Sequence, residues 1–103
     1  MAGPYSEGLA LASDNGLLGW IDAQGQLAFP LRKYDEAFGF SGGLARFKLD
    51  GLYGYLDKAG NMAIKNQYDN AGDFDRGLAM VMTAAGWAYI DTKGTVVWQQ
   101  SAK

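Results

Sequence analysis

Three short signatures recur along this chain in fixed order and at one period, and that periodicity limits its fold more than any other property of the sequence. Gly-Leu-Ala occurs at Gly8-Leu9-Ala10, Gly43-Leu44-Ala45 and Gly77-Leu78-Ala79, with spacings of 35 and then 34 residues. Asp-x-x-Gly runs from Asp22 to Gly25, Asp57 to Gly60 and Asp91 to Gly94, at the same two spacings. Tyr-Asp-x-Ala runs from Tyr34 to Ala37 and from Tyr68 to Ala71. Independent markers that keep one period describe a tandem array of about 34 residues per unit. Such a unit cannot bury its apolar face alone and must stack on its neighbours. The repeats divide at about 5–39, 40–73 and 74–100, and residues 2–4 match the tail of a preceding unit. The pattern stops before a third Tyr-Asp-x-Ala, at Ser101-Ala102-Lys103, so the chain is expected to be a fragment of a longer repeat protein.

Each unit reads as β-structure. From Leu44 to Leu49, Ala45, Phe47 and Leu49 alternate with Arg46 and Lys48, a period of two. Asp50-Gly51 follows, and Asn15-Gly16 and Ala85-Gly86 stand at the same place in the other units. Asp-Gly and Asn-Gly suit a two-residue hairpin because both positions tolerate positive φ. A second strand covers Leu17 to Asp22, Leu52 to Asp57 and Gly86 to Asp91. The Asp-x-x-Gly turn comes next, with Asp bonding the backbone ahead of it and Gly re-entering the strand. A short third strand takes in Leu27 to Phe29, Met62 to Ile64 and Thr95 to Trp98. The segment holding Tyr34 and Phe40, or Tyr68 and Phe74, reads as an inter-unit connector whose rings anchor one repeat on the next. The expected fold is all-β, with about nine short antiparallel strands in three meanders stacked as an open solenoid. A closed pseudo-threefold, barrel-like assembly is the alternative. Gly19 and Gly54 sit inside strands, which implies a close approach by another group. The simplest such group is an aromatic ring.

Several function classes drop out on composition. The formal net charge is −2 and the sequence pI near 4.8, so no basic track exists for a nucleic-acid backbone. Cysteine and histidine are both absent, which removes disulfides, thiolate or imidazole zinc sites and the usual nucleophile–base pairs. No apolar run is long enough to span a bilayer. Met1-Ala2-Gly3-Pro4 lacks the basic and apolar regions of a signal peptide, which leans toward the cytoplasm.

The order Phe/Tyr-Ser-x-Gly-Leu-Ala, Gly-Trp/Tyr-Ile/Leu-Asp-x-x-Gly, Tyr-Asp-x-Ala resembles the bacterial WG repeat family. Tyr5 to Ala10, Phe40 to Ala45 and Phe74 to Ala79 carry the first element, although the third copy has Asp75 in place of serine. Gly19-Trp20-Ile21-Asp22, Gly54-Tyr55-Leu56-Asp57 and Ala88-Tyr89-Ile90-Asp91 carry the second. The aromatic-Gly pair survives only as Tyr53-Gly54, with Leu18-Gly19 and Trp87-Ala88 at the other positions. The resemblance implies a repeat scaffold without shared catalytic residues.

These readings favour a non-catalytic interaction module for a protein or peptide partner, needing no cofactor and no metal. The alternative is a glycan-binding module. In either case the candidate binding surface is the aromatic stripe Trp20, Tyr53, Tyr55, Trp87 and Tyr89. The same rings are also suited to forming the core and the seams between repeats. Asp69, Asp73 and Asp75 form an acidic connector without the spacing of a calcium loop. Asp22, Asp57 and Asp91 are explained by their turns rather than by carboxylate catalysis. End repeats expose uncovered faces near Tyr5 to Ala12 and Val96 to Trp98, which invites self-association.

Overall fold

A computed structural model describes residues 2–100, with side chains from Ser6 onward, so the Ser101 to Lys103 stop and the Tyr5 ring lie outside the described residues. Among the described residues, eleven strands form three antiparallel sheets. β1 (Ala2–Ser6), β2 (Leu9–Asp14) and β3 (Leu17–Ile21) make the first. β4 (Glu36–Ser41), β5 (Leu44–Leu49), β6 (Leu52–Leu56) and β7 (Met62–Tyr68) make the second. β8 (Asn70–Ala71), β9 (Leu78–Thr83), β10 (Gly86–Asp91) and β11 (Val96–Gln99) make the third. The sheets are separate, no barrel closes, and the stack measures 49 × 27 × 20 Å. The all-β, solenoid-like arrangement is therefore the one the repeats led us to expect.

The strand inventory differs in two ways. Part of each connector is itself a strand, since β1, β4 and β8 pair with β2, β5 and β9. A two-residue turn makes this possible in the first two sheets, with positive φ at Glu7-Gly8 and Gly42-Gly43; Arg76-Gly77 adopts the same geometry in the third. In the first unit the Leu27 to Phe29 strand shrinks to bridges, Ile21 with Leu27 and Leu18 with Arg32. Pro30 interrupts that ladder, because it has no N–H to donate.

The turns follow the sequence reading. Asn15-Gly16 and Asp50-Gly51 carry positive φ at both positions. Asp22 Oδ1 accepts from the amides of Gln24 and Gln26, Asp57 Oδ1 from Ala59 and Asn61, and Asp91 Oδ1 from Lys93 and Thr95, all at 2.9–3.0 Å. Gly25, Gly60 and Gly94 each donate back to the aspartate carbonyl. The three aspartates are occupied in holding turns.

At each seam the forward face of one sheet meets the rear face of the following one. In the first seam, Leu9, Leu11, Leu18 and Trp20 of the first sheet meet Phe40, Ala45, Phe47 and Leu56 of the second. In the second seam, Leu44, Tyr55 and Ile64 meet Phe74, Ala79, Val81 and Ile90. The connector rings do anchor neighbours, for Tyr34 and Phe40 are buried in the first seam and Tyr68 and Phe74 in the second. Burial pushes the phenols of Tyr34, Tyr55 and Tyr68 above their ordinary pKa.

The strand glycines are explained by something other than an aromatic ring. A Cβ on Gly54 would stand 2.6 Å from the Asn66 amide nitrogen and 2.8 Å from the Ile64 carbonyl oxygen. On Gly19 it would meet the Leu31 side-chain tip at 2.6 Å. The pairing of β6 with β7 shifts register on either side of Tyr55, and this presses the bulged backbone against Gly54. An aromatic ring does lie against a bare glycine, but at Gly60, where Phe29 of the preceding unit approaches.

Candidate functional site

The polar contacts across the seams repeat as faithfully as the apolar ones. Trp20 Nε1 donates to the Phe38 carbonyl at 3.1 Å, and Tyr55, the same position one unit on, donates its hydroxyl to the Gly72 carbonyl at 2.6 Å. Ser6 Oγ donates to the Phe40 carbonyl at 2.6 Å, and Ser41 Oγ to the Phe74 carbonyl at 2.9 Å. Trp20 stands edge-on to Phe40 with ring centroids 5.6 Å apart, and Tyr55 edge-on to Phe74 at 4.7 Å. Glu7 adds a clamp found only in the first seam, accepting from the amides of Gly42 and Gly43 at 2.7 and 2.8 Å. Partial burial alone would raise the Glu7 pKa, but those two amides and Lys58 Nζ, 3.6 Å away, together hold it below its ordinary value.

The stripe residues consequently have different surroundings. Trp20 and Tyr55 are 0% exposed and spent on the seams, so no ligand reaches their rings. Tyr53 is half-buried, with Phe38 at 6.4 Å, Lys48 Nζ 5.6 Å from its ring centroid and Glu36 at 3.4 Å from its hydroxyl. Arg46 lies 3.9 Å over the Phe38 ring and reaches across to Asp73 at 3.1 Å and to the Ala71 carbonyl. Trp87 and Tyr89 are half-buried on the forward face of the third sheet.

That forward face is where apolar surface collects. Register places Met82 opposite Trp87, Met80 opposite Tyr89, and Trp98 on the other flank of Tyr89. Leu78 and Met80 are each 40% exposed, and Trp98 is 52% exposed. Sequence reasoning placed Trp87 and Tyr89 on the candidate surface and Trp98 at an exposed end, but passed over the two methionines. The signal was present, since Met80 and Met82 occupy the places that Arg46 and Lys48 hold in the second unit. Methionine with aromatic neighbours gives a soft, adaptable surface.

A groove of about 370 Å³ also opens between Arg32 and Lys33 on one side and Asn61 and Met62 on the other. Both of its cations are exposed, and among the described residues no charged side chain is buried, so no fixed charge is held inside it. Among the described residues, no group of His, Cys, Asp or Glu is placed to hold a metal ion, and Asp73 is engaged by Arg46. No helix among them is long and apolar enough to cross a membrane.

Tryptophan emission reports the division of the stripe. With single Trp→Phe variants used to isolate each signal, Trp20 is expected to emit blue-shifted light that acrylamide barely quenches, and Trp98 to be red-shifted and readily quenched. Equal quenching of the two would contradict the seam described above.

A model of the WG containing repeat matches residues 19–53 and again residues 53–84. Both matches begin at the strand glycine or its aromatic neighbour, so each spans the end of one sheet and the start of the next. No curated protein and no solved structure matches the chain.

Proposed function

Since this chain belongs to the WG containing repeat family, we propose that it is a non-catalytic interaction module that binds a protein or peptide partner through the forward face of its third sheet. The observation that carries this reading is the exposed apolar group Leu78, Met80 and Trp98, flanked by Met82, Trp87 and Tyr89. In the first and second sheets the corresponding positions take part in the seams, so this set of residues is one the fold uses for contact. Contiguous apolar surface of this kind marks sites of protein contact. Its residue types fit too, because flexible thioethers and flat rings accept varied apolar side chains at low entropic cost.

Glycan stacking is the less favoured reading. Tyr89 and Trp98 are inclined at 59° to each other, so their rings do not form the flat shelf a pyranose stacks on. The test is selection of peptides from a displayed library on the immobilised chain, followed by affinity measurement against Met80→Lys and Trp98→Glu. Lysine at position 80 restores a cation where the second unit has Arg46, so the fold has a precedent for it. Each variant is expected to weaken the selected peptides by about tenfold or more. Peptides that bind both variants as well as the parent chain would show that the partner face lies elsewhere. Saturable binding of an oligosaccharide that both substitutions abolish would favour the glycan reading.

A further inference from the structure

We infer that the groove at the first seam is a separate binding site, which takes a short peptide carrying a carboxylate beside an apolar side chain. It is distinct from the forward face of the third sheet and does not depend on it. The groove lies between the connector of the first unit and the Asp57 turn of the second. Arg32 and Lys33 stand along one wall, Leu49 and Met62 supply apolar lining, and no described carboxylate lines it. Its volume of about 370 Å³ suits a small organic ligand and is more than a simple anion needs.

Both walls are held by hydrogen bonds to the backbone. Leu18 and Arg32 exchange amide-to-carbonyl bonds at 2.7 and 2.9 Å, which fixes the chain on the cationic side. On the other side the Asp57 carboxylate accepts from the Asn61 amide at 3.0 Å. A ligand entering such a groove does not have to order the backbone first, and that saves affinity.

Three observations set the chemistry of the occupant. Neither Arg32 nor Lys33 has an ion pair among the described residues, whereas Arg46 and Lys58 each have one. Tyr34 is 9% exposed, its ring packed against Trp20 and Phe47. Its hydroxyl has no described hydrogen-bond partner and is not sealed from solvent, so it opens on the groove, where the Arg32 charge acts on it. A phenol O–H beside two cations is a donor set for a carboxylate, which accepts at both oxygens. The third observation is a contrast with the next unit. Counting back from the shared tyrosine, Asn66 and Gln67 replace Arg32 and Lys33. Asn66 donates to the Leu49 carbonyl at 2.8 Å and Gln67 to the Lys65 carbonyl at 3.1 Å. The fold thus has no need of cations at these positions, and amides there turn to the backbone. With a net charge of −2 for the whole chain, the attraction is local to the groove and salt weakens it.

Amide shifts of the isotope-labelled chain in NMR, during titration with acetyl-Leu-Glu-Leu-Glu, test this. Saturable shifts are expected at Arg32, Lys33, Tyr34, Asn61 and Met62. The uncharged counterpart acetyl-Leu-Gln-Leu-Gln is expected to bind about tenfold more weakly or worse. Arg32→Asn combined with Lys33→Gln, the pair the second unit carries, should weaken the acidic peptide by a similar factor. Tyr34→Phe keeps the packed ring, removes only the hydroxyl and is expected to cost about threefold. Unchanged spectra elsewhere in each variant show that it is folded. Equal affinity for the two peptides would overturn the inference, as would the absence of any shift at millimolar peptide. Shifts confined to Leu78, Met80 and Trp98 would also overturn it, while leaving the forward-face reading standing. Sodium acetate or phosphate matching the peptide in shifts and affinity would reduce the groove to a simple anion site and equally overturn the peptide as its occupant.

Discussion

Alanine at Trp20 is expected to remove about 3–5 kcal/mol of stability, as deletion of a buried indole typically does. The ring is 0% exposed and touches Phe29, Tyr34 and Phe40, with centroids 5.4, 6.1 and 5.6 Å away. Its loss leaves a cavity between two sheets and strips the Phe38 carbonyl of its donor at 3.1 Å. Domains of this size hold roughly 5–15 kcal/mol in total, so the loss is a large share. Where it falls is as informative as its size. In a stack, stability is a sum of unit terms and nearest-neighbour seams. Amide exchange should therefore accelerate over Leu9–Asp14 and Leu17–Ile21 while Leu78–Thr83 and Gly86–Asp91 stay protected. Uniform acceleration along the chain would show that the three sheets open as one unit.

The second large effect separates two glycines that look alike in sequence. Gly54→Ala is expected to cost up to about 3 kcal/mol, the upper range for overpacking a tight site. The three nearest atoms there are all backbone, namely the Asn66 nitrogen at 2.6 Å, the Asn66 Cα at 2.8 Å and the Ile64 carbonyl oxygen at 2.8 Å. None of these yields by a rotamer change. Gly19→Ala meets mainly the mobile tip of Leu31, whose Cα lies 3.5 Å away, and is expected to cost about 1 kcal/mol or less once Leu31 turns aside. Chemical denaturation of the two variants decides the point, and equal midpoints would mean that β7 moves away from β6 at little cost.

The contrast between those glycines also marks how far the sequence could be read. Period-two alternation, Asp-Gly and Asn-Gly hairpins and the Asp-x-x-Gly turn all depend on local chemistry, and each folds as its residues dictate. β4 ends at the readable turn pair Gly42-Gly43, whereas β1 was hidden because its turn places Glu7 in the left-handed region, and the same occurs at Arg76 before β9. Neither residue type announces that conformation, although a glycine follows each of them. Pro30 was visible, but its effect on the third strand of one unit only was not weighed. The binding face was harder to find for a different reason. Trp20, Tyr55 and Tyr89 are equivalent by pattern, yet only the first two are sealed by a following unit. Burial in a stack depends on position along it, and identical motifs differ in exposure for that reason alone. Met80 and Met82 break the polar alternation seen at Arg46 and Lys48, and that local break was the readable clue.

The seams have a consequence for the speed and order of folding. Their side-chain hydrogen bonds join residues between 17 and 36 apart in sequence. No seam therefore waits for distant parts of the chain to meet. Entropy of loop closure is charged once per unit and does not grow with the number of units. A stack of this design can nucleate at any hairpin pair and extend in either direction, so its folding rate is set by one unit and its seam. Lengthening the array by whole units would add stability while leaving that rate almost unchanged.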